Sequence, residues 1–553
     1  LNTLFEIFGY LTVVLHGLDF VAQSVLIGSV AFMLFVLEPS SSEDQQSAGL
    51  GQTDCSHIVR AAAASSIVIV AAATILNATV LASSLDASWR EVAGAAFVIA
   101  GAVKIAAAAC IGLAVAFRPP WRASLRFALG AAATLLLAAS IATSHAVARI
   151  HGATVLILAT AAHALGAAVW LGGLPCFWLA LRRAPDPGPA ARIARRYSVL
   201  AITGVALIAV GGGLFAAIYV GSVDAVYGTG YGAMAATKAV LFGILLSLGC
   251  ANFLAAHRSS VAAGATARVR RFVEVEMGIG FATLMAASSI TSLPPSVDLT
   301  ADRVSWTEIV TRMAPSWPRL TSPDHASLAL PALQARLDAE AKAARSASRP
   351  AAFVPGSGET PPRNAYDIAW SEYNHHWAGL VVVLMGFAAL ARKTGRASWA
   401  KHWPLLFLLL AAFLFLRADA EVWPMGEIGF LESLKDPEVA QHRVFELLIV
   451  VFALFEWGVS TGRIASKRLA RVFPLLVALG GTLLLTHSHA LANVKEEQLI
   501  ELTHLPIAVL GIIAGWARWL EVEAPLAEGR WAGWIWPCCF VLIGLLLLDY
   551  REA

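Results

Sequence analysis

The chain is built around apolar runs, most of them about 18–28 residues long, that recur along nearly its whole length. Such a run crosses a hydrocarbon core of roughly 30 Å as a helix, which satisfies its own backbone hydrogen bonds in lipid. The predicted fold is therefore all-α, a polytopic transmembrane helical bundle in a lipid bilayer. Composition agrees, with 58% of the 553 residues hydrophobic and 14% charged; an ordinary soluble domain carries about 25% charged residues. The net charge of +3 is too small to suggest a nucleic-acid partner. Cys55, Cys110, Cys176, Cys250, Cys538 and Cys539 lie mostly within apolar runs and form no CxxC pair. Neither a zinc site nor a disulfide framework is expected, and they read as plain buried thiols.

Fourteen spans are predicted, near 4–37, 58–82, 91–117, 124–144, 151–181, 198–221, 232–256, 272–293, 376–391, 403–418, 444–460, 470–487, 502–520 and 532–549. The first is too long for the apolar part of a signal peptide and is expected to be a true span. A polar, Pro- and Ala-rich stretch separates the eighth from the ninth, with an amphipathic helix expected from Leu328 to Ala344. The expected organisation is a first module of eight spans at 1–297, a connector at 298–372 and a second module of six spans at 373–553. Arg182, Arg183, Arg192, Arg195 and Arg196 fill one short loop; Arg392, Lys393, Arg396 and Lys401 fill another; the alternate short loops are nearly free of both residue types. Cytoplasmic loops are the ones rich in Lys and Arg. Both termini and the connector are thus expected to face the periplasm of a bacterial inner membrane.

That sidedness gathers histidines. His375 and His376 open the ninth span, His442 the eleventh and His504 the thirteenth, while His487 and His489 close the twelfth. All six fall at the outer level of the second module, and His145 and His151 fall at that level in the first. Imidazole is a common ligand for copper, iron and zinc, so the six are candidate metal ligands; the alternative is that each bonds a backbone carbonyl or a lipid headgroup. His487 and His489 would point about 200° apart on a straight helix. One of them, and one of the adjacent His375 and His376, is expected to stay outside any shared site. His442 and Glu446 share a helix face, either as an oriented imidazole or within a salt link from His442 or Arg443.

Charge inside a span is costly. His16 and Asp19 share a face of the first span; Lys104 lies near the middle of the third, and Lys238 about two turns into the seventh. His163 falls mid-way along the fifth with Trp170 on roughly the same face, and Glu274 and Glu276 start the eighth. Two readings stay open. One is a polar path with His16 and His163 as mid-membrane stations; the other is a set of internal ion pairs, such as Asp19 with Lys104, that fix packing. The seven methionines form no Met-x-x-Met or Met-x-x-x-Met run, so no thioether relay is expected. Phosphate-loop, aspartyl-phosphate and CxxCH motifs are absent, and a non-enzymatic role without ATP-driven pumping is expected.

The stretch His163-Ala-Leu-Gly-Ala-Ala-Val-Trp170-Leu-Gly-Gly-Leu174 resembles the signature helix of the CopD family of copper-resistance membrane proteins. Tyr231-Gly232, Lys238, Asn252, Glu276 and the closing Thr291-Ser-Leu-Pro-Pro295 follow in the family's order, and Gly28, Phe32 and Pro39 fit its opening span. The resemblance covers about residues 1–297. Trp423-Pro424-Met425-Gly426 and Asp436-Pro437-Glu438, leading to Gln441-His442-Arg443, resemble the C-terminal extension of long CopD-like proteins. The family implies movement of copper from periplasm to cytoplasm, often beside a small periplasmic CopC-like copper-binding protein. On that basis copper is expected to be captured by the outer histidines and passed inward along His16, Asp19, His163, Trp170, Lys238 and Glu276. Two competing readings are a redox protein holding b-type haem between paired histidines, such as His375 or His376 with His442, and a metal-free assembly subunit.

Overall fold

The computed structural model describes residues 2–37, 44–117, 123–149, 152–183, 187–258, 263–300, 303–323, 364–419, 422–434, 437–486, 494–524 and 527–552, with four isolated positions between 324 and 363. The helix expected at Leu328 to Ala344 lies largely outside the described residues, as do His151, His487 and His489. The helices of ten or more residues are α1 Asn2–Phe35, α2 Asp44–Leu85, α3 Ala96–Ala116, α4 Ala123–Ala142, α5 Ala153–Trp170, α6 Leu174–Arg183, α7 Pro187–Phe215, α8 Gly230–Arg258 and α9 Ala263–Ile290, followed by α10 Ala365–Lys393, α11 Leu406–Arg417, α12 Pro437–Ser460, α13 Val472–Leu484, α14 Val494–Glu523 and α15 Ala527–Leu548. The protein is an all-α helical bundle with no strand among the described residues beyond one bridge between Val422 and Ile428.

Among the described residues, twelve helical segments are long and apolar enough to cross a membrane. The other two expected spans coincide with α12 and α13, and each has a physical reason to fall short. Arg443, Glu446 and Glu456 interrupt the apolar run of α12, and α13 is 13 residues long in its regular part. Residues 44–57, between the first two expected spans, are helical, because α2 begins at Asp44, well ahead of its apolar stretch.

The chain divides into two compact units, residues 1–223 with 234–298, and residues 224–233 with 299–553. In the first unit α1 is the hub, packing against α2, α4, α5, α6, α7 and α9. Its span is 72% buried, whereas that of α4 is 22% buried. The family-like stretch 163–174 breaks into α5 and α6 at Leu171-Gly172-Gly173, as adjacent glycines permit. Small residues let backbones approach in lipid. A Cβ on Gly28 would run into the Ala168 carbonyl and the Gly172 backbone, and one on Gly172 into the Ser24 carbonyl.

In the second unit α15 packs on α10 and α14, α13 on α14, and α11 on α10 and α12. Its centre is aromatic: Trp403, Phe473, Trp536 and Phe540 are buried together, with Phe407 and Phe452 packed against them. Phe452 stacks on Phe473 at 4.8 Å, and Trp403 lies 5.2 Å from Trp536 between ring centroids.

Because the α1 crossing admits no side chain, Gly28→Leu is expected to destabilise the first unit by at least the roughly 1–3 kcal/mol of an overpacked core. Thermal melting of the purified protein in detergent should show a clear drop; an unchanged midpoint would contradict the tight crossing.

Candidate functional site

In the first unit, Thr12, His16, Asp19 and Gln23 succeed one another at spacings of four, three and four residues, which puts them on one face of α1. Lys104 of α3 reaches Asp19 at 3.2 Å, with side-chain exposures of 10% and 7%. The ion-pair alternative for these two residues is therefore the arrangement seen. The Ser140 hydroxyl of α4 donates to Gln23 Oε1. Even so, Thr12 Oγ1, Asp19 Oδ1 and Gln23 Nε2 are buried with no hydrogen-bond partner among the described residues. Each such atom carries a desolvation cost of about 1–3 kcal/mol or more, and three on one face make the stripe a polar seam inside the most buried helix. His16 packs on Phe20, with ring centroids 4.4 Å apart, within electrostatic reach of Asp19, Lys104 and His145. His145 donates through Nε2 to the Thr291 carbonyl at 2.7 Å.

A second cluster lies further along the bundle. Trp170, at the end of α5, donates through Nε1 to Glu276 Oε1 of α9 at 2.8 Å, and Asn252 of α8 donates to Glu276 Oε2 at 2.7 Å. All three side chains are buried. The Tyr197 hydroxyl caps the Trp170 carbonyl, which the break after α5 exposes. Two residues of the family-like motifs, Trp170 and Asn252, thus converge on the carboxylate of a third, Glu276. His163 donates from Nδ1 to the Ile208 carbonyl at 3.2 Å, lies edge-on to Phe215 at 5.4 Å, and has Lys238 within electrostatic reach. A bond from Nδ1–H fixes the tautomer that keeps the Nε2 lone pair for a ligand. Glu274, the neighbour of Glu276, is held separately by Trp178 at 2.9 Å and Arg271 at 3.0 Å.

In the second unit the histidines separate. His375 donates from Nδ1 to the Ser371 carbonyl at 2.8 Å, stacks on Tyr550 at 3.9 Å and meets His504 edge-on at 6.1 Å. His504 in turn donates from Nδ1 to the Ile500 carbonyl at 3.0 Å. The Tyr550 hydroxyl donates to Glu552 at 2.7 Å; burial, together with that carboxylate, pushes its pKa well above the usual phenol range, so it stays a neutral donor. His376 is committed at both ring nitrogens, accepting from the Arg319 backbone N–H at 2.7 Å and donating to the Tyr550 carbonyl at 2.8 Å. His442 pairs with Asp419 at 2.8 Å, while Arg443 takes Glu446 at 3.0 Å. Of the described histidines expected at the outer level, His375 and His504 form the ring pair. No group of three or more His, Cys, Asp or Glu side chains is arranged to hold a metal ion among the described residues. Asp419, Tyr550 and Glu552 were missed in the sequence, since Asp419 meets His442, Tyr550 meets His375 and Glu552 meets Ser371 only across separate segments.

Long apolar helices around buried polar clusters define a multi-pass membrane protein. Residues 191–290, which include Tyr197, Lys238, Asn252 and Glu276, match the family model described as Copper resistance protein D. Over 177 residues the chain is 34% identical to "Copper transport protein CutJ" of Bacillus subtilis (strain 168), covering 32% of this chain and 31% of that protein. The aligned stretch thus spans about a third of the length of that relative. No solved structure matches the chain. The chain is similar to the CopD family over that stretch.

Removing one partner of a buried ion pair costs about 3–5 kcal/mol, because the other charge is left uncompensated. Asp19→Asn and Lys104→Met should each lower the melting temperature markedly, and the double variant should recover part of the loss. Strictly additive losses would contradict the pairing.

Proposed function

We propose that this protein moves copper across the bacterial inner membrane toward the cytoplasm, with the first unit as the conduit. The observation that carries this reading is the seam on α1. It presents an imidazole, a carboxylate oxygen and an amide in a row, with Thr12 Oγ1, Asp19 Oδ1 and Gln23 Nε2 unsatisfied, and all stand within one buried helix face. Imidazole and carboxylate are ligands that copper accepts, and a seam of incompletely paired groups suits passage better than permanent binding. His163 and the Trp170–Glu276–Asn252 cluster would form the later stations. In the second unit His375 and His504, 6.1 Å apart between ring centroids, are the proposed capture pair at the periplasmic face. His376 would hold the chain in place, since both its nitrogens are engaged. The match of residues 191–290 to the CopD family model and the likeness to a copper transport protein support copper as the cargo. A periplasmic CopC-like protein is the proposed donor.

Copper uptake into proteoliposomes tests the path. His16→Ala and Glu276→Gln should each slow uptake by about tenfold or more, the scale on which loss of a metal-site group is felt. His376→Gln, if it folds, should retain the rate. Wild-type rates in both of the first two variants would remove these residues from the path.

A further inference from the structure

Cys55 and Cys176 take no part in the path above, yet they are the two cysteines that separate helices bring together. Cys55 stands near the start of the apolar part of α2 and Cys176 in the first turn of α6, and both are fully enclosed, at 0% exposure. α2 packs along α6, and the two thiols lie within hydrogen-bonding reach of each other. The same helices are tied beside Cys55 by Arg183 and Asp54 at 3.1 Å. Of the other cysteines, Cys110 and Cys250 are exposed. Cys538 and Cys539 are neighbours on one helix, so their side chains diverge by about 100°.

The position of the pair matters as much as its chemistry. α6 follows directly from the break after Trp170. Phe177, next to Cys176, stacks on Tyr197 at 4.3 Å, and Tyr197 caps the Trp170 carbonyl. The thiols therefore adjoin the Trp170–Glu276–Asn252 cluster, at the end of the unit where α2 begins. Oxygen and nitrogen groups line the earlier seam, and sulfur stands at this end.

We propose that Cys55 and Cys176 form a two-coordinate Cu(I) site at the cytoplasmic end of the first unit, receiving the ion from the Glu276 cluster; this rests on the copper reading given above. Soft thiolates select Cu(I). A metal–thiolate bond is about 2.3 Å, so an ion in line between two sulfurs needs them about 4.6 Å apart, a small opening of two hydrogen-bonded thiols. On binding, two S–H bonds break and two Cu–S bonds form. Both protons leave to water, and no electron is exchanged.

Anaerobic titration of the purified full-length protein with Cu(I), supplied as its bathocuproine disulfonate complex, tests the site, with the copper-edge X-ray absorption spectrum reporting ligands. The wild type should hold a Cu(I) ion with a shell of two sulfurs. Cys55→Ser and Cys176→Ser should each lose that ion, while a variant with Cys110, Cys250, Cys538 and Cys539 all replaced by Ser should keep it. Retention of the same sulfur shell by the Cys55→Ser/Cys176→Ser double variant, or absence of Cu(I) binding in the wild type, would overturn the proposal. Copper uptake measured in parallel separates the two readings. A wild type that binds this ion but moves no copper leaves the site standing and removes the transport reading. Uptake that persists without Cu(I) at the cysteine pair removes the site alone.

Discussion

The ion pair between Asp19 and Lys104 is the contact around which the first unit is organised. Lipid cannot solvate either charge, so α1 and α3 must keep the two together at 3.2 Å and other helices must enclose them. That requirement places the most polar helix face at the centre of the bundle, where α1 meets six neighbours. The close crossing at Gly28 and Gly172 then holds α1 against the broken helix that carries Trp170. A seam of polar groups inside an apolar bundle is the outcome.

The second unit solves a different problem. Its centre is an aromatic cluster, from which Trp536 donates its indole N–H to Glu521 at 2.6 Å, and its ionisable groups are spent on ties between segments. Arg518 bridges Glu456 at 3.0 Å and Glu521 at 2.7 Å, and His376 joins Arg319 to Tyr550 through backbone groups. Among the described histidines expected at its outer level, one pair of imidazoles meets. His375 and His504, with Tyr550 between their helices and the C-terminal segment, are the pair left facing each other.

Apolar runs made the helices and their number largely legible in the sequence, because hydropathy is a local property. Asp19 with Lys104 was legible as an alternative, since a charge within a span demands a partner and few were on offer. Trp170, Asn252 and Glu276 were legible through the family-like motifs, although their convergence on one carboxylate needed three helices to be packed. His376 could not be distinguished from His375 in the sequence, because the difference lies in the Arg319 amide and the Tyr550 carbonyl, both remote in the chain. Asp419 beside His442 was hidden for the same reason, and of the alternatives open for Glu446 the salt link from Arg443 is the one made. Cys55 and Cys176 share no motif, and no spacing argument brings α2 to α6.

The central claim is that the first unit offers copper a way through the membrane, and net flux by the unaltered protein addresses it most directly. Sealed proteoliposomes with an entrapped copper-sensitive fluorophore, given Cu(I) outside under anaerobic conditions, should show a signal change well above that of protein-free vesicles. Equal signals from the two preparations would contradict the account.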